Sequence, residues 1–387
     1  MKHDDNTLGR RGQSGFSLVE LLVYMVILGL LMAMVLTSFT KTLQRSAQQS
    51  GIAETQIETG TGLELLRFDL EHAGFGLPWA YPNPLPLTLA AMVEPGPMAD
   101  AGDPPRALNS VNPSPLGINN ADHLVIRATN VIRSQDASGQ RLGLLGNDAN
   151  HLPEILPPGV FAATDGVIAL QPDSLDLNVG FRGLVTFGNQ YAFSATTADL
   201  ASIVPAPDPL DPDWKKLLLY GVSNNVAAGI HFPFNRTDYF IAGNPNGVTP
   251  PTHCAQGTGV LVKQTLNQST GNFDLPLPVV DCVADFRVTY LLDSSGWVAA
   301  NNLAGLTAEE IRAQVKEVRC FILLHEGGED PAYTHPTNPM PVGRIVAADG
   351  TVLMAGNPFN LAMTVGTHWA NFRWKVVSIS VVPKNLR

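Results

Sequence analysis

The sequence predicts an α+β fold, with one long N-terminal helix packed on antiparallel β-sheet. Three observations lead there. Residues 16–39 form an apolar run with a single charge, Glu20. Leu63, Leu66 and Leu70 then recur at helical spacing, with Leu65 and Phe68 widening the stripe, so this stretch predicts a helix that lies on a sheet. From His123 onward the apolar runs are short, rich in β-branched residues and divided by Gly and Pro, which predicts strands.

The order of elements follows. Residues 1–15 are a short leader carrying Lys2, Arg10 and Arg11 against Asp4 and Asp5. The run 16–39 is long enough to cross a hydrocarbon core of about 30 Å as a helix. The basic leader keeps the N-terminus cytoplasmic and sends the rest of the chain across the membrane. A secretory signal has its small-residue cut site after the apolar core; here Gly15 precedes it, so a cut there leaves the membrane helix on the mature chain. Residues 40–76 continue as an amphipathic helix. Gly51, Gly60 and Gly62 weaken its middle by about 1 kcal/mol each relative to Ala, which predicts a bend or local melting. Gly74, Gly76 and Pro78 end it. Residues 77–122 are Pro-rich and predicted irregular.

The remainder, 123–387, is predicted to be a β-rich globular domain. Its strands are expected at 123–129, 166–170, 183–187, 216–221, 238–242, 259–264, 284–292, 318–325 and 372–382. In 284–292, Phe286, Val288, Tyr290 and Leu292 alternate with polar neighbours, as a strand with one buried face should. A short helix is expected at 307–316, where Thr307 and Glu310 fit a capping box.

Composition narrows the function classes. The 387 residues carry a net charge of −10, which argues against broad electrostatic nucleic-acid binding. Only 15% of residues are charged, against 35 Gly and 30 Pro, which suits a loop-rich extracytoplasmic domain. That location is oxidising, so a disulfide is plausible. Cys254, Cys282 and Cys320 allow three single pairings. The reading favours Cys254–Cys282, a bond clipping a hairpin-like excursion to the sheet, with Cys320 a buried free thiol. No Cys/His spacing suggests zinc.

Catalytic chemistry is not visible. His325-Glu326-Gly327-Gly328-Glu329 superficially resembles a zinc-protease motif but lacks its second His, and reads as a strand end and turn. There is no GxSxG, P-loop or dinucleotide fingerprint, so neither an enzyme nor a cofactor is expected. Asp208, Asp211 and Asp213 read as a solvated turn rather than a calcium loop. Asn235-Arg236-Thr237 and Asn267-Gln268-Ser269 are glycosylation sequons by pattern alone. Trp214, Trp297, Trp369 and Trp374 are expected to pack rather than to bind ligands.

The string GFSLVELLV at 15–23 resembles the class III signal of type IV pilins and pseudopilins. That resemblance implies prepilin-peptidase cleavage between Gly15 and Phe16, N-methylation of the new Phe16 amine, and pairing of Glu20 with a neighbouring subunit's amine to set axial register. Three further stretches, LLRFDLEHAGFG (65–76), DCVADFRVTYLLDSSGWV (281–298) with the strand after it, and FRWKVVSISVVPKNLR at the C-terminus, resemble PilW-type minor pilins, which are close in pattern to GspJ-type pseudopilins. Pro383 departs from that ending. The resemblance implies a pilin-like fold and a minor pilin that helps initiate pilus assembly and sits in the tip complex. Its implied partners are the peptidase, other minor pilins, the major pilin and a large tip adhesin. It implies residence in the inner membrane before assembly, with a periplasmic C-terminus, and in the extracellular pilus afterwards. Alternatives are a minor pseudopilin of a type II secretion system and a membrane-anchored adhesion protein.

Overall fold

A computed structural model describes residues 17–79, 81, 94–100, 104–132, 141–147, 153–171, 182–203, 217–223, 234–243, 247–267 and 270–386. The chain divides into two units, residues 1–53 and 54–387. It is an α+β protein: one long helix and antiparallel sheets.

Helix α1 spans Leu18–Glu71. It is unbroken at Gly51, Gly60 and Gly62, where melting was expected. The cost of three glycines is about 3 kcal/mol, which is small against the hydrogen bonds of a 54-residue helix. In the first unit every described side chain from Ser17 to Leu43 is exposed, including the apolar run. The helix is long and apolar enough to cross a membrane.

The second unit is built on two sheets, their strands numbered in chain order. Among the described residues the larger sheet has eight strands. It runs β1 (Leu108–Val111), β2 (His123–Arg127), β9 (Arg236–Ala242), β10 (Gly259–Thr265), β11 (Leu277–Leu292), β13 (Val315–Glu326) and β18 (Arg373–Val381), with β12 (Gly296–Ala299) also on β11. The smaller runs β4 (Pro153–Leu156), β3 (Leu142–Asn147), β8 (Leu217–Ser223), β5 (Gly166–Gln171) and β6 (Gly183–Leu184), with β7 (Phe193–Ser194) on β5. Two short pairs, β14 (Met340–Val342) with β17 (Asn357–Phe359) and β15 (Ile345–Val346) with β16 (Val352–Met354), lie before β18. The segment 77–122, expected to be irregular, supplies β1. The expected strand at 183–187 shrinks to two residues.

Both faces of the larger sheet are buried. One face carries Tyr239, Leu261, Phe286 and Ile322, and packs in a single core with Leu66 and Leu70 of α1 and with Ile168 and Tyr220 of the smaller sheet. On the other face the C-terminal loops cover Ala284, Phe321, Leu323 and Trp374. Where β2 and β9 turn that second face outward they carry charge, and residues 94–100 lie over it. Arg127 Nε donates to Glu94 at 2.9 Å, Arg236 Nε donates to Asp238 at 2.6 Å, and His123 Nε2 sits 2.9 Å from Asp238. Arg236 also donates to the Pro95 and Pro97 carbonyls, and Arg127 to that of Met98. Buried charges persist only when paired and hydrogen-bonded, and here the strap supplies the missing acceptors.

The short helix α3 (Ala308–Gln314) follows α2 (Thr197–Leu200) in chain order and precedes α4 (Leu361–Thr364). Its capping box forms as the sequence expects: Thr307 Oγ1 accepts from the Glu310 amide, and the Glu310 carboxylate accepts from the Thr307 amide.

Candidate functional site

The N-terminal site rests on residue types in a row rather than on a cavity. Gly15 and Phe16 lie outside the described residues. Glu20 stands in the first turn of α1, where a carboxylate complements the helix dipole. It is the one charged residue between Phe16 and Thr40. The side chains around it are open: Leu18 is 79% exposed and Met25 65%. A surface of that kind is unstable in water and suited to lipid or to other helices.

At the other end of α1, Asp69 is fully buried. Its carboxylate accepts from Tyr239 Oη at 2.6 Å and pairs with Lys263 Nζ at 2.5 Å, and Lys263 also donates to the Val131 carbonyl. This joins the helix to β9 and β10. In the sequence Asp69 stands out only as part of the pattern LLRFDLEHAGFG at the helix end. Its partners lie 170 and 194 residues away, and no local signal reveals them.

Cys254 and Cys282 form a disulfide with a Cα–Cα distance of 4.9 Å, and Cys320 is free and buried. Burial pushes the Cys320 thiol well above its ordinary pKa. His253 lies within 4.8 Å of both bonded sulfurs, but sulfurs joined to each other are not thiolate ligands. Cys282 has a positive φ of 56° inside β11, at an irregularity in its pairing with β10.

The other singled-out residues do not converge on chemistry. Both ring nitrogens of His325 are engaged, Nδ1 with the Gly327 carbonyl and Nε2 with the Ala255 amide, which leaves neither for a metal. Glu326 pairs with Lys375 and Glu329 with His368. Asn235 is fully buried and donates to the Thr129 carbonyl, so the first sequon presents no accessible amide. Asn267 bonds Asp274, and Gln268 and Ser269 lie outside the described residues. Asp208, Asp211, Asp213 and Trp214 lie outside them too. Trp374 packs in the core of the second face and donates to the Trp369 carbonyl, while Trp297 lies under the Arg319 guanidinium.

No curated protein matches the chain. Among solved structures, a type IV-like pilin from Thermus thermophilus matches at 16% identity, over 40% of this chain and 69% of that one, with a TM-score of 0.21. A likeness that small carries no argument. Residues 10–36 match the family of the prokaryotic N-terminal methylation motif. The chain therefore carries a prepilin-type N-terminal methylation motif at the head of a membrane-length apolar helix, on an α+β body.

Proposed function

We propose that the chain is a non-enzymatic minor pilin, cut between Gly15 and Phe16, methylated on Phe16, and assembled with sister minor pilins, the major pilin and a tip adhesin. The supporting observation is the methylation motif at 10–36 on a helix whose apolar side chains are exposed. A carboxylate in the membrane costs about 2.5–3.5 kcal/mol on insertion scales, so Glu20 needs a compensating partner. The amine that cleavage would create on a neighbouring Phe16 has the opposite charge and belongs to the same end of the apolar run, four residues before Glu20 in sequence. In this reading 16–39 anchors the protein in the inner membrane, its C-terminus periplasmic, and then packs in the filament. The segment 40–76 carries the body, with 77–122 and 123–387 facing sister subunits.

The test is a clean deletion scored for surface pili and for secreted proteins together. Loss of pili with normal secretion supports the proposal. Loss of secretion with intact pili assigns the chain to a type II secretion pseudopilus. Retention of both favours a membrane-anchored adhesion protein. A Glu20→Val protein should still be cleaved yet assemble poorly; normal piliation with it would remove the register role.

A further inference from the structure

A cleft of about 890 Å³ runs along α1 within the 54–387 unit. Ile57, Thr61, Leu65 and Phe68 form its helix wall, three to four residues apart. Its other wall is the start of β11, from Leu277 to Asp281. β13 pairs with β11 only from Val283 onward, so this wall lies outside the stretch of β11 that β13 covers. Helix and strand meet at Gly62, where an added Cβ would stand 2.0 Å from the Val279 carbonyl oxygen.

Two properties of the cleft are unusual. Its apolar lining is open to solvent, with Ile57 72% and Leu277 54% exposed. Its rim is acidic at one end. Glu64 is paired with Arg67 and Glu71 with Lys384. Among the described residues, Glu58 and Asp281 form no such pair. Burial raises the pKa of each, repulsion from Asp281 and Glu54 raises that of Glu58 further, and the neighbouring His253 acts in the opposite direction on both.

We infer that this cleft is a docking groove for an amphipathic helix of a sister subunit, with apolar residues against Ile57, Phe68 and Leu277 and Lys or Arg against Glu58 and Asp281. The inference deepens the assembly reading above and rests on it. Charge complementarity selects the occupant. The 54–387 unit of a second copy, with 19 Lys and Arg against 31 Asp and Glu, would bring acid to acid. An anionic lipid surface would be repelled in the same way. Length agrees as well. The helix wall from Ile57 to Glu71 is about 21 Å long at 1.5 Å per residue, which matches a partner helix of about four turns anchored at i, i+3, i+4 and i+7.

The experiment uses the full chain in detergent and two fluorescent 14-residue helices with the same leucine stripe, one flanked by Lys and one by Glu. The Lys helix should bind and the Glu helix should not. The double variant Glu58→Lys/Asp281→Lys should weaken the Lys helix at least tenfold, while Glu309→Lys/Asp349→Lys, which changes net charge equally, should leave it within twofold. Equal weakening by both pairs, or no preference between the helices, would overturn the groove and leave only general acidity. In cells, Leu277 replaced by benzoylphenylalanine should crosslink to a basic amphipathic segment of a sister subunit. Crosslinks to a second copy, to lipid, or to the same products obtained from the exposed Met363 position would overturn the inference. Recovery of the chain from sheared surface filaments is scored in the same cells. If it is absent there while the peptide preference holds, the assembly reading fails and the groove chemistry stands.

Discussion

His325 is neutral in the fold because its Nδ1 hydrogen points at the Gly327 carbonyl, 3.0 Å away, while Nε2 accepts from the Ala255 amide at 2.9 Å. Burial lowers its pKa from 6.5 to about 4. Between those values the unfolded chain binds a proton that the folded chain refuses. The stability this histidine contributes is thus complete above pH 6.5 and lost as pH falls through 4, on the order of 3 kcal/mol in all. Asp285 acts with the opposite sign. Burial raises it from 3.8 to about 6, so its contribution is largest below 3.8 and is lost as pH rises through 6. The clean reading is therefore a difference. Urea midpoints of the parent should fall between pH 7 and pH 4.5 by more than those of His325→Gln, and parallel curves would show that His325 is not the group responsible. Asp69 gives a second expectation. Asp69→Ala strands the Lys263 ammonium in the core, and removing one member of a buried pair costs about 3–5 kcal/mol. Replacing both partners by apolar residues, Asp69→Leu with Lys263→Met, should recover much of that loss in a guanidinium melt. Glu20 and the cysteines stood out in the sequence because each is an exception to its surroundings. Asp69 did not, because what makes it exceptional is a pair of residues brought to it by the sheet.

At the level of elements, the helix and the long strands were legible and their ends were not. The strand expected from residue 284 begins at Leu277, because Cys282, with φ 56°, breaks the two-residue alternation that a strand is read by. β1 is only four residues long and β3, LGLLGN, has two glycines and no alternation, so their place is fixed by β2 and β8 rather than by their own pattern. The three glycines in the second half of α1, Gly51, Gly60 and Gly62, are a different case. Treated alike, they predict a soft helix; in the structure they differ. A Cβ at Gly60 meets nothing within 4 Å, whereas at Gly62 it would collide with the Val279 carbonyl. Gly60→Ala should therefore stabilise the fold by up to about 1 kcal/mol through helix propensity. Gly62→Ala should destabilise it despite the same propensity gain, because helix and β11 must part. Thermal melts of the two variants that moved in the same direction would refute the close contact.

At the scale of the whole molecule, the fold class follows from sequence because the apolar helix and the run of β-branched segments are both strong local patterns. The covering of the sheet's second face does not, because the strap at 94–100 and the C-terminal loops have no periodicity and are held by charges and rings from distant strands. The disulfide belongs to this scale, since a crosslink acts mainly on the unfolded chain. Closing a loop across 28 residues of sequence removes about 3–4 kcal/mol of chain entropy from that state in the loop-closure account, a large share of a typical stability of about 5–15 kcal/mol. Cys320 decides how that contribution can be lost. In the folded chain its thiol is buried and burial holds it protonated, so it cannot attack the Cys254–Cys282 bond. Once unfolded it is an ordinary thiol. The native bond should therefore survive long incubation at pH 8 without denaturant, and should scramble into all three pairings in 6 M guanidinium at the same pH. Cys320→Ala should abolish the scrambling while leaving the disulfide and the fold intact. Peptide mapping that found Cys320 bonded in the native protein would mean the core around β13 opens far more readily than its packing allows.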